Sequence, residues 1–493
     1  LDCYLKENIQ YKHLIFMQVV GFLNGGFDNQ ATNLALPEIQ KELDIDVSLS
    51  QWVQTISTIA KVSFSIPLAQ LGAKIGVVNS LLFFTGMLTL LFPTLIFIKN
   101  FYLFLFARFL IGLCLCGAQV NNSTLYQKLP QEKNRKKYAE YQQITMNVAR
   151  MFGPIVSSII IKLLNWRYVY VICSVAALSR FINVSMIRNV QMQKKEFDIV
   201  GAILLIICTS AFCISLTLIA QTEWAAAGGC FAGSIIFAVC FFFWERRFAN
   251  PIVDMKVITA QVKHLMVIQM SQMMATSSEQ LIMPQYFEHY DVNQIYLGAI
   301  SSARILVNLF GMITSQKLSN KISIQKMLTF GFSVVFTLSC VQIGVLEFIY
   351  PFMAMYFVKG YFNSLGMQGL NPAILTSVPA DIIHKVNGLS TTVNTLSQCV
   401  ASCLISMIME LCNRAQQAVI GYYVSLAVAT TMIGINILQI TIKFYCKNIS
   451  VNSEEKEQLI KKQEQNEKEE QTQEKPKETI NTDEKPEIKQ EKQ

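Results

Sequence analysis

The sequence predicts an all-α integral membrane protein with fourteen spans. Three observations carry that prediction. Of 493 residues, 52% are hydrophobic and only 15% are charged. The last stretch, 451–493, holds 13 acids and 9 bases, so the preceding 450 residues carry 32 bases against 20 acids and are about 56% apolar, above the usual globular value. Apolar stretches of the roughly 20 residues that a spanning helix needs then recur fourteen times. Such a composition excludes a soluble enzyme, a disordered chain and a secreted disulfide scaffold. The basic balance points to loops on a negatively charged membrane surface and away from nucleic acid.

The spans read, in order, 14–35, 52–72, 77–98, 101–122, 142–164, 166–188, 199–221, 226–245, 264–284, 296–316, 327–346, 349–373, 387–410 and 419–444. In lipid every backbone polar group needs an internal partner, so segments this long and apolar are helices. Short connections make neighbouring helices antiparallel. Trp52, Trp166, Trp224 and Trp244 fall at span ends, where an aromatic belt places them. One set of loops carries 17 bases, among them Lys133, Arg135, Lys136, Lys137, Lys194 and Lys195, and the other carries 5. The positive-inside rule puts the first set in the cytoplasm, with both termini. The plasma membrane is the expected location. No short apolar segment with a cleavage site precedes span 1, so no signal peptide is expected. Residues 447–493 are Lys/Glu/Gln-rich and read as a disordered cytoplasmic tail.

The thirteen cysteines and four histidines show no metal-ligand spacing. Cys114 and Cys116, two apart on a helix, do not share a face. Neither a metal nor a cofactor is expected. A P-loop is missing too, so an ATP-driven pump is not expected.

Charges inside the spans are the candidate functional groups, because each costs about 2.5–3.5 kcal/mol at the bilayer centre on insertion scales. Asp28 and Glu279 lie at matching depth in spans 1 and 9, Lys61 and Arg304 in spans 2 and 10, and Arg108 and Lys359 in spans 4 and 12. Two six-span repeats would make these positions pseudo-symmetric, each repeat sending an acid and two bases toward one central cavity. Pairing within each bundle, which would only fix helix packing, is the competing expectation. Arg150 and Arg180 lie nearer the span ends, where a snorkelling stem satisfies the charge; Arg150 is also a candidate for the cavity.

Landmarks along the chain carry a family resemblance. Span 1 ends Phe27-Asp28-Asn29-Gln30-Ala31-Thr32-Asn33-Leu34-Ala35-Leu36-Pro37. This resembles the "LDxTIVNVALP" signature of the fourteen-span drug:proton antiporters of the major facilitator superfamily. Arg108 to Gly112 is similar to the R-x-x-x-G element, Gly153-Pro154 to the antiporter G-P element, and Trp166-Arg167-Tyr168 to the W-R-aromatic start of span 6. Phe197-Asp198-Ile199-Val200-Gly201-Ala202 opens span 7. The resemblance implies the major facilitator fold: a six-helix bundle over 14–188 after a cytoplasmic segment 1–13, two extra spans and linkers over 189–263, and a second six-helix bundle over 264–446. It also implies alternating access, with Asn33, Pro37, Gly112, Gly153 and Pro154 as motif, packing and hinge positions. The loop after span 2 departs from the family pattern. Ala73 replaces the family's acid and Val77 and Val78 its bases, so the charged latch there is weakened or replaced.

The expected function is proton-coupled efflux of small organic molecules or drugs by a monomer in the bilayer, with Asp28 and Glu279 as proton carriers. The excess of intramembrane bases favours anionic or zwitterionic substrates over the lipophilic cations typical of the relatives. An uncoupled facilitator or uptake carrier, and a transport-dead receptor-like relative, are the alternatives.

Overall fold

The computed structural model describes residues 27–45 (apart from 30, 33 and 37), 47–128, 148, 151–187, 198–247, 260–319 (apart from 291 and 293), 322, 324–367, 370, 374, 383–414 and 417–441. All regular structure among them is helical. α1 covers helical residues within 27–43, followed by α2 (Val47–Ile75), α3 (Val77–Phe97) and α4 (Phe101–Lys128). α5 is Met151–Leu163 and α6 Tyr168–Ser185. α7 (Ile199–Ala220) and α8 (Trp224–Arg247) form a pair. α9 (Ala260–His289), α10 (Gln294–Ser319), α11 (Ile324–Gly344), α12 (Ile349–Met367), α13 (Ile383–Arg414) and α14 (Ala418–Thr441) follow. These helices belong to one contact unit, Leu1–Ile440; Thr441–Gln493 form another, of which Thr441 alone is described. The expected tail lies outside the described residues.

Nine of the described helices are long and apolar enough to cross a membrane: α3, α4, α6, α7, α8, α10, α11, α13 and α14. α2 and α9 dilute their apolar runs with polar side chains such as Ser63, Ser65, Gln269 and Gln272, all buried. Polar residues turned inward are how a membrane helix keeps groups out of lipid. Many hydroxyls in the described helices return a hydrogen bond to their own preceding turn: Thr85 to Leu81 O at 2.6 Å, Ser157 to Gly153 O at 2.7 Å, Ser278 to Met274 O at 2.9 Å. That satisfies the group without a neighbour.

Two apolar cores form. One joins Phe27, Ile39, Leu81, Phe92, Phe104, Ile111 and Tyr170 from α1, α3, α4 and α6. The other joins Ile282, Tyr286, Phe352, Met409 and Leu426 from α9, α12, α13 and α14. In the first, α4 packs on α2 and α3, and α3 on α6. In the second, α12 packs on α10 and α11, and Gly434 of α14 meets Phe336 of α11, with a would-be Cβ 3.1 Å from the ring. The neighbour order of α2, α3, α4 and α6 therefore recurs in α10, α11, α12 and α14.

Glycines set the closest approaches. A Cβ on Gly112 of α4 would stand 2.7 Å from Ser57 O on α2, and one on Gly311 of α10 would run into Tyr361 O on α12. α13 lies against both α2 and α9. Gly388 meets Ala69 and Ile66, and the Ser65 and Thr392 hydroxyls bond to each other. α10 meets α5 at Gly298, where a Cβ would be 2.6 Å from Ser158 Oγ and 3.0 Å from Pro154 O. Pro154 is thus buried where two helices touch, and Gly153 leaves 3.8 Å to the Phe27 Cα.

α7 fits against α2 and α13. Asp198 caps it, accepting from Gly201 N at 2.9 Å, and also accepts from Trp244 Nε1 of α8 at 3.1 Å. One carboxylate therefore explains the polar start of span 7: it satisfies an orphan helix N–H and fastens α8. The outer face of α8 exposes Phe231, Ile236, Val239 and Phe243, as a lipid-facing surface does.

The turn after α2 is apolar. Gly76 (φ 106°) reverses the chain, in a region a side chain rarely adopts. Ala73, Val77 and Val78 are buried. Packing replaces the charges that the family pattern puts here.

Two expectations change. Trp166 is not a belt residue at the membrane surface: it is 1% exposed, edge-on to Phe104 and Tyr170, and its Nε1 donates to Glu42 at 2.6 Å. Arg167 beside it also bonds Glu42 and donates to the carbonyls of Leu95, Ile96 and Ile98 at 2.9–3.0 Å. The W-R element thus clasps the ends of α1, α3 and α6, capping carbonyls that α3 leaves open. Arg180 does not snorkel; it is buried and donates to Ala118 O on α4 at 3.1 Å.

Candidate functional site: two buried charge clusters

Asp28 sits near the described start of α1 and Arg108 two turns into α4. Both are 0% exposed, and Arg108 Nη1 donates to Asp28 Oδ1 at 2.5 Å. Arg108 Nε reaches Val53 O of α2 at 3.5 Å. Two charges withdrawn from water cost several kcal/mol each, and only close pairing offsets that. Lys61, about four turns along α2, is half-buried and interacts electrostatically with Asp28 and Arg108. Its backbone carbonyl accepts from Cys116 Sγ at 3.3 Å, which fixes α2 against α4. Tyr170 closes the cluster from α6, its hydroxyl 3.4 Å from Thr32 Oγ1.

The second cluster repeats the first with one more bond. Glu279 of α9 takes Arg304 Nη2 of α10 at 2.7 Å and Lys359 Nζ of α12 at 2.9 Å. Arg304 also donates to Tyr356 O at 2.6 Å and lies over the Tyr356 ring at 3.8 Å. Lys359 donates to Gln342 Oε1 at 3.1 Å. Beyond it, Gln272, Asn363, Asn436 and Ser271 form a hydrogen-bonded amide and hydroxyl chain across α9, α12 and α14. Ser390 of α13 donates to Gln269 Oε1 at 3.2 Å.

The residues paired by sequence depth lie on α1 and α9 (Asp28, Glu279), α2 and α10 (Lys61, Arg304), and α4 and α12 (Arg108, Lys359). The sequence expectation sends both sets toward one central cavity; the structure closes each inside its own group of helices. Among the described residues no ion pair joins the two. Desolvation is the reason, since five of the six charges are buried and hold the nearest opposite charge. Asn33, Pro37 and Arg150 lie outside the described residues.

The clusters differ in how many bases reach the acid, and each keeps unmet polar atoms, among them Gln342 Nε2 in the second. Both Glu279 oxygens meet a base. In the first cluster, among the described residues, Asp28 Oδ2 has no hydrogen-bond partner, and neither do the buried Gln54 Oε1 and Ser57 Oγ. Gln54 and Ser57 were not read from the sequence as site residues. Their signal was there: Gln54, Ser57 and Lys61 repeat at helical spacing along one side of α2.

Residues 19–402 match the Major Facilitator Superfamily profile. The chain belongs to the major facilitator superfamily. It is a multi-pass integral membrane protein and a secondary transporter, not an enzyme. The fold of this superfamily member resembles the crystal structure of the human organic anion transporter MFSD10 (TETRAN), with a TM-score of 0.59 and 9% identity over 88% of this chain and 99% of that one. It also resembles a bacterial homologue of the iron transporter ferroportin in an outward-facing state, with a TM-score of 0.60 and 8% identity over 87% and 98% of the two chains. No curated protein sequence matches it.

Proposed function

We propose that this superfamily member exchanges small organic anions or zwitterions for protons by alternating access. The arrangement would be fourteen spans with both termini in the cytoplasm, acting as a monomer in the plasma membrane. The observation that carries this reading is the charge of the first cluster: one carboxylate, Asp28, against two bases, of which Lys61 has no carboxylate at ion-pair distance among the described residues and is part exposed. A positive centre in a low-dielectric surround attracts anions and repels the lipophilic cations of the drug:proton antiporters. The resemblance of span 1 to their signature supports Asp28 as the proton carrier.

Asp28 is faced by Arg108 from α4, Lys61 from α2, and Tyr170 and Cys173 from α6. When rocking of the helices separates Asp28 from Arg108 its charge loses support, and a proton replaces the guanidinium. When the pair re-forms, the proton leaves. Glu279, held by two bases, takes the structural part in this scheme. Gly112, Gly153 and Pro154 sit at helix contacts where close approach permits sliding. An efflux direction follows from the family resemblance.

The test is transport by the full chain in proteoliposomes with paired anionic and cationic dyes under an imposed pH gradient. Anion exchange that collapses with the gradient, and collapses in Asp28→Asn with the protein still folded, is expected. Equal or better transport of cations would sink the reading.

A further inference from the structure

Among the described residues, three buried acceptors in the first cluster lack a donor: Asp28 Oδ2, Gln54 Oε1 and Ser57 Oγ. Hydrogen bonds and a close helix approach put the three residues around the contact of α1, α2 and α4. Gln54 Nε2 donates to Asn29, the residue after Asp28. Arg108 bridges Asp28 and Val53, the residue before Gln54. Gly112, one turn beyond Arg108, lies in contact with Ser57, whose Oγ is 2.7 Å from a Cβ built there. A buried acceptor left unmade costs about 1–3 kcal/mol, and many hydroxyls among the described residues avoid that by bonding their own helix, as Ser157 and Ser278 do. Ser57 does not. Three unmet acceptors match the three N–H donors of one ammonium group. Lys61, a turn farther along α2, places a positive charge beside them.

Resting on the proposed anion or zwitterion transport, we infer that this cluster is a recognition site for zwitterions of the amino-acid type. The substrate ammonium binds Asp28, Gln54 and Ser57, and its carboxylate binds Lys61. A simple organic anion then fills only half of the site and leaves the three acceptors unpaired. Gln54 and Ser57 are specificity residues that touch substrate, and Arg108 is a positioning residue that holds Asp28 by its other oxygen.

Two dansyl probes separate the parts. Nε-dansyl-lysine carries an α-ammonium and a carboxylate; N-dansyl-6-aminohexanoate has the same chain and carboxylate without the ammonium. Fluorescence titration of the full chain in nanodiscs is expected to give at least tenfold tighter binding of the first. Ser57→Ala and Gln54→Leu should each shrink that ratio toward one while leaving the hexanoate probe unchanged. Lys61→Gln should weaken both probes. Circular dichroism and gel filtration of each variant report folding independently. A wild-type ratio near one, or a ratio that survives both Ser57→Ala and Gln54→Leu, overturns the zwitterion site and leaves anion transport standing. Undiminished hexanoate binding in Lys61→Gln overturns the carboxylate subsite, meaning Lys61 is only a counter-charge for Asp28. Failure of both probes to bind the wild-type chain removes this site and the anionic substrate class together.

Discussion

Removing the carboxylate of Glu279 tests whether the second cluster is structural. Glu279→Gln leaves Arg304 and Lys359 buried, with exposures of 7% and 3%, and no acid paired with them among the described residues. Their remaining bonds are to Tyr356 O and Gln342 Oε1. Breaking one buried pair costs about 3–5 kcal/mol because a charge is left uncompensated; here one substitution strands two. The loss should reach at least the upper end of that range. Adding Lys359→Gln brings the cluster back to its native net charge of one base, with Arg304 still stacked on Tyr356. The double variant should therefore be more stable than Glu279→Gln alone, with a coupling of about 1–3 kcal/mol, as for residues in one network. Reversible unfolding of the purified chain in mixed micelles, read by tryptophan fluorescence, measures both. If Glu279→Gln costs under about 1 kcal/mol, or the second substitution makes matters worse, the cluster is not a charge-balanced structural element and the reasoning fails.

Four further outcomes follow from named contacts. Asp198→Ala should lose the α7 cap and the Trp244 anchor together, lowering stability by about 1–2 kcal/mol for the cap alone and raising protease access between α7 and α8; limited proteolysis with mass spectrometry checks it. Gly112→Val would force side-chain atoms into the Ser57 backbone, at about 1–3 kcal/mol, and should slow exchange even where the protein folds; stopped-flow flux against thermal stability separates the two. Arg167→Ala removes donors from three α3 carbonyls and from Glu42, so a fall in micelle unfolding free energy of about 1–3 kcal/mol is expected. Cys213 of α7 and Cys399 of α13 are both buried and in side-chain contact. Copper–phenanthroline oxidation should join them, and peptide mapping should lose the crosslink in Cys213→Ser.

Much of the site was readable before any coordinates. Charges are so costly in a span that Asp28, Arg108, Glu279, Arg304 and Lys359 stand out by their cost alone. What the residues touch was not readable. Gln54 and Ser57 look like ordinary span polar groups until the missing donors are seen. Gln342 and Tyr356 complete the second cluster from α11 and α12 through contacts that no short spacing encodes. Trp166 and Arg180 went the other way: composition suggests an interface residue and a snorkelling base, whereas Phe104, Glu42 and the Ala118 carbonyl draw them inside.

The sequence by itself determined a membrane protein, its helical class and the positions of the intramembrane charges, because hydrocarbon imposes length and polarity rules on every residue separately. Only the tertiary structure decided which charges meet. An ion pair is a relation between helices, and α1 meets α4, or α9 meets α10 and α12, only once the bundles close. The same holds for the imbalance between clusters. Glu279 has two bases and Asp28 one because Arg304 reaches α9 while Lys61 stays half-buried on α2, and side-chain reach is set by packing that no single helix contains.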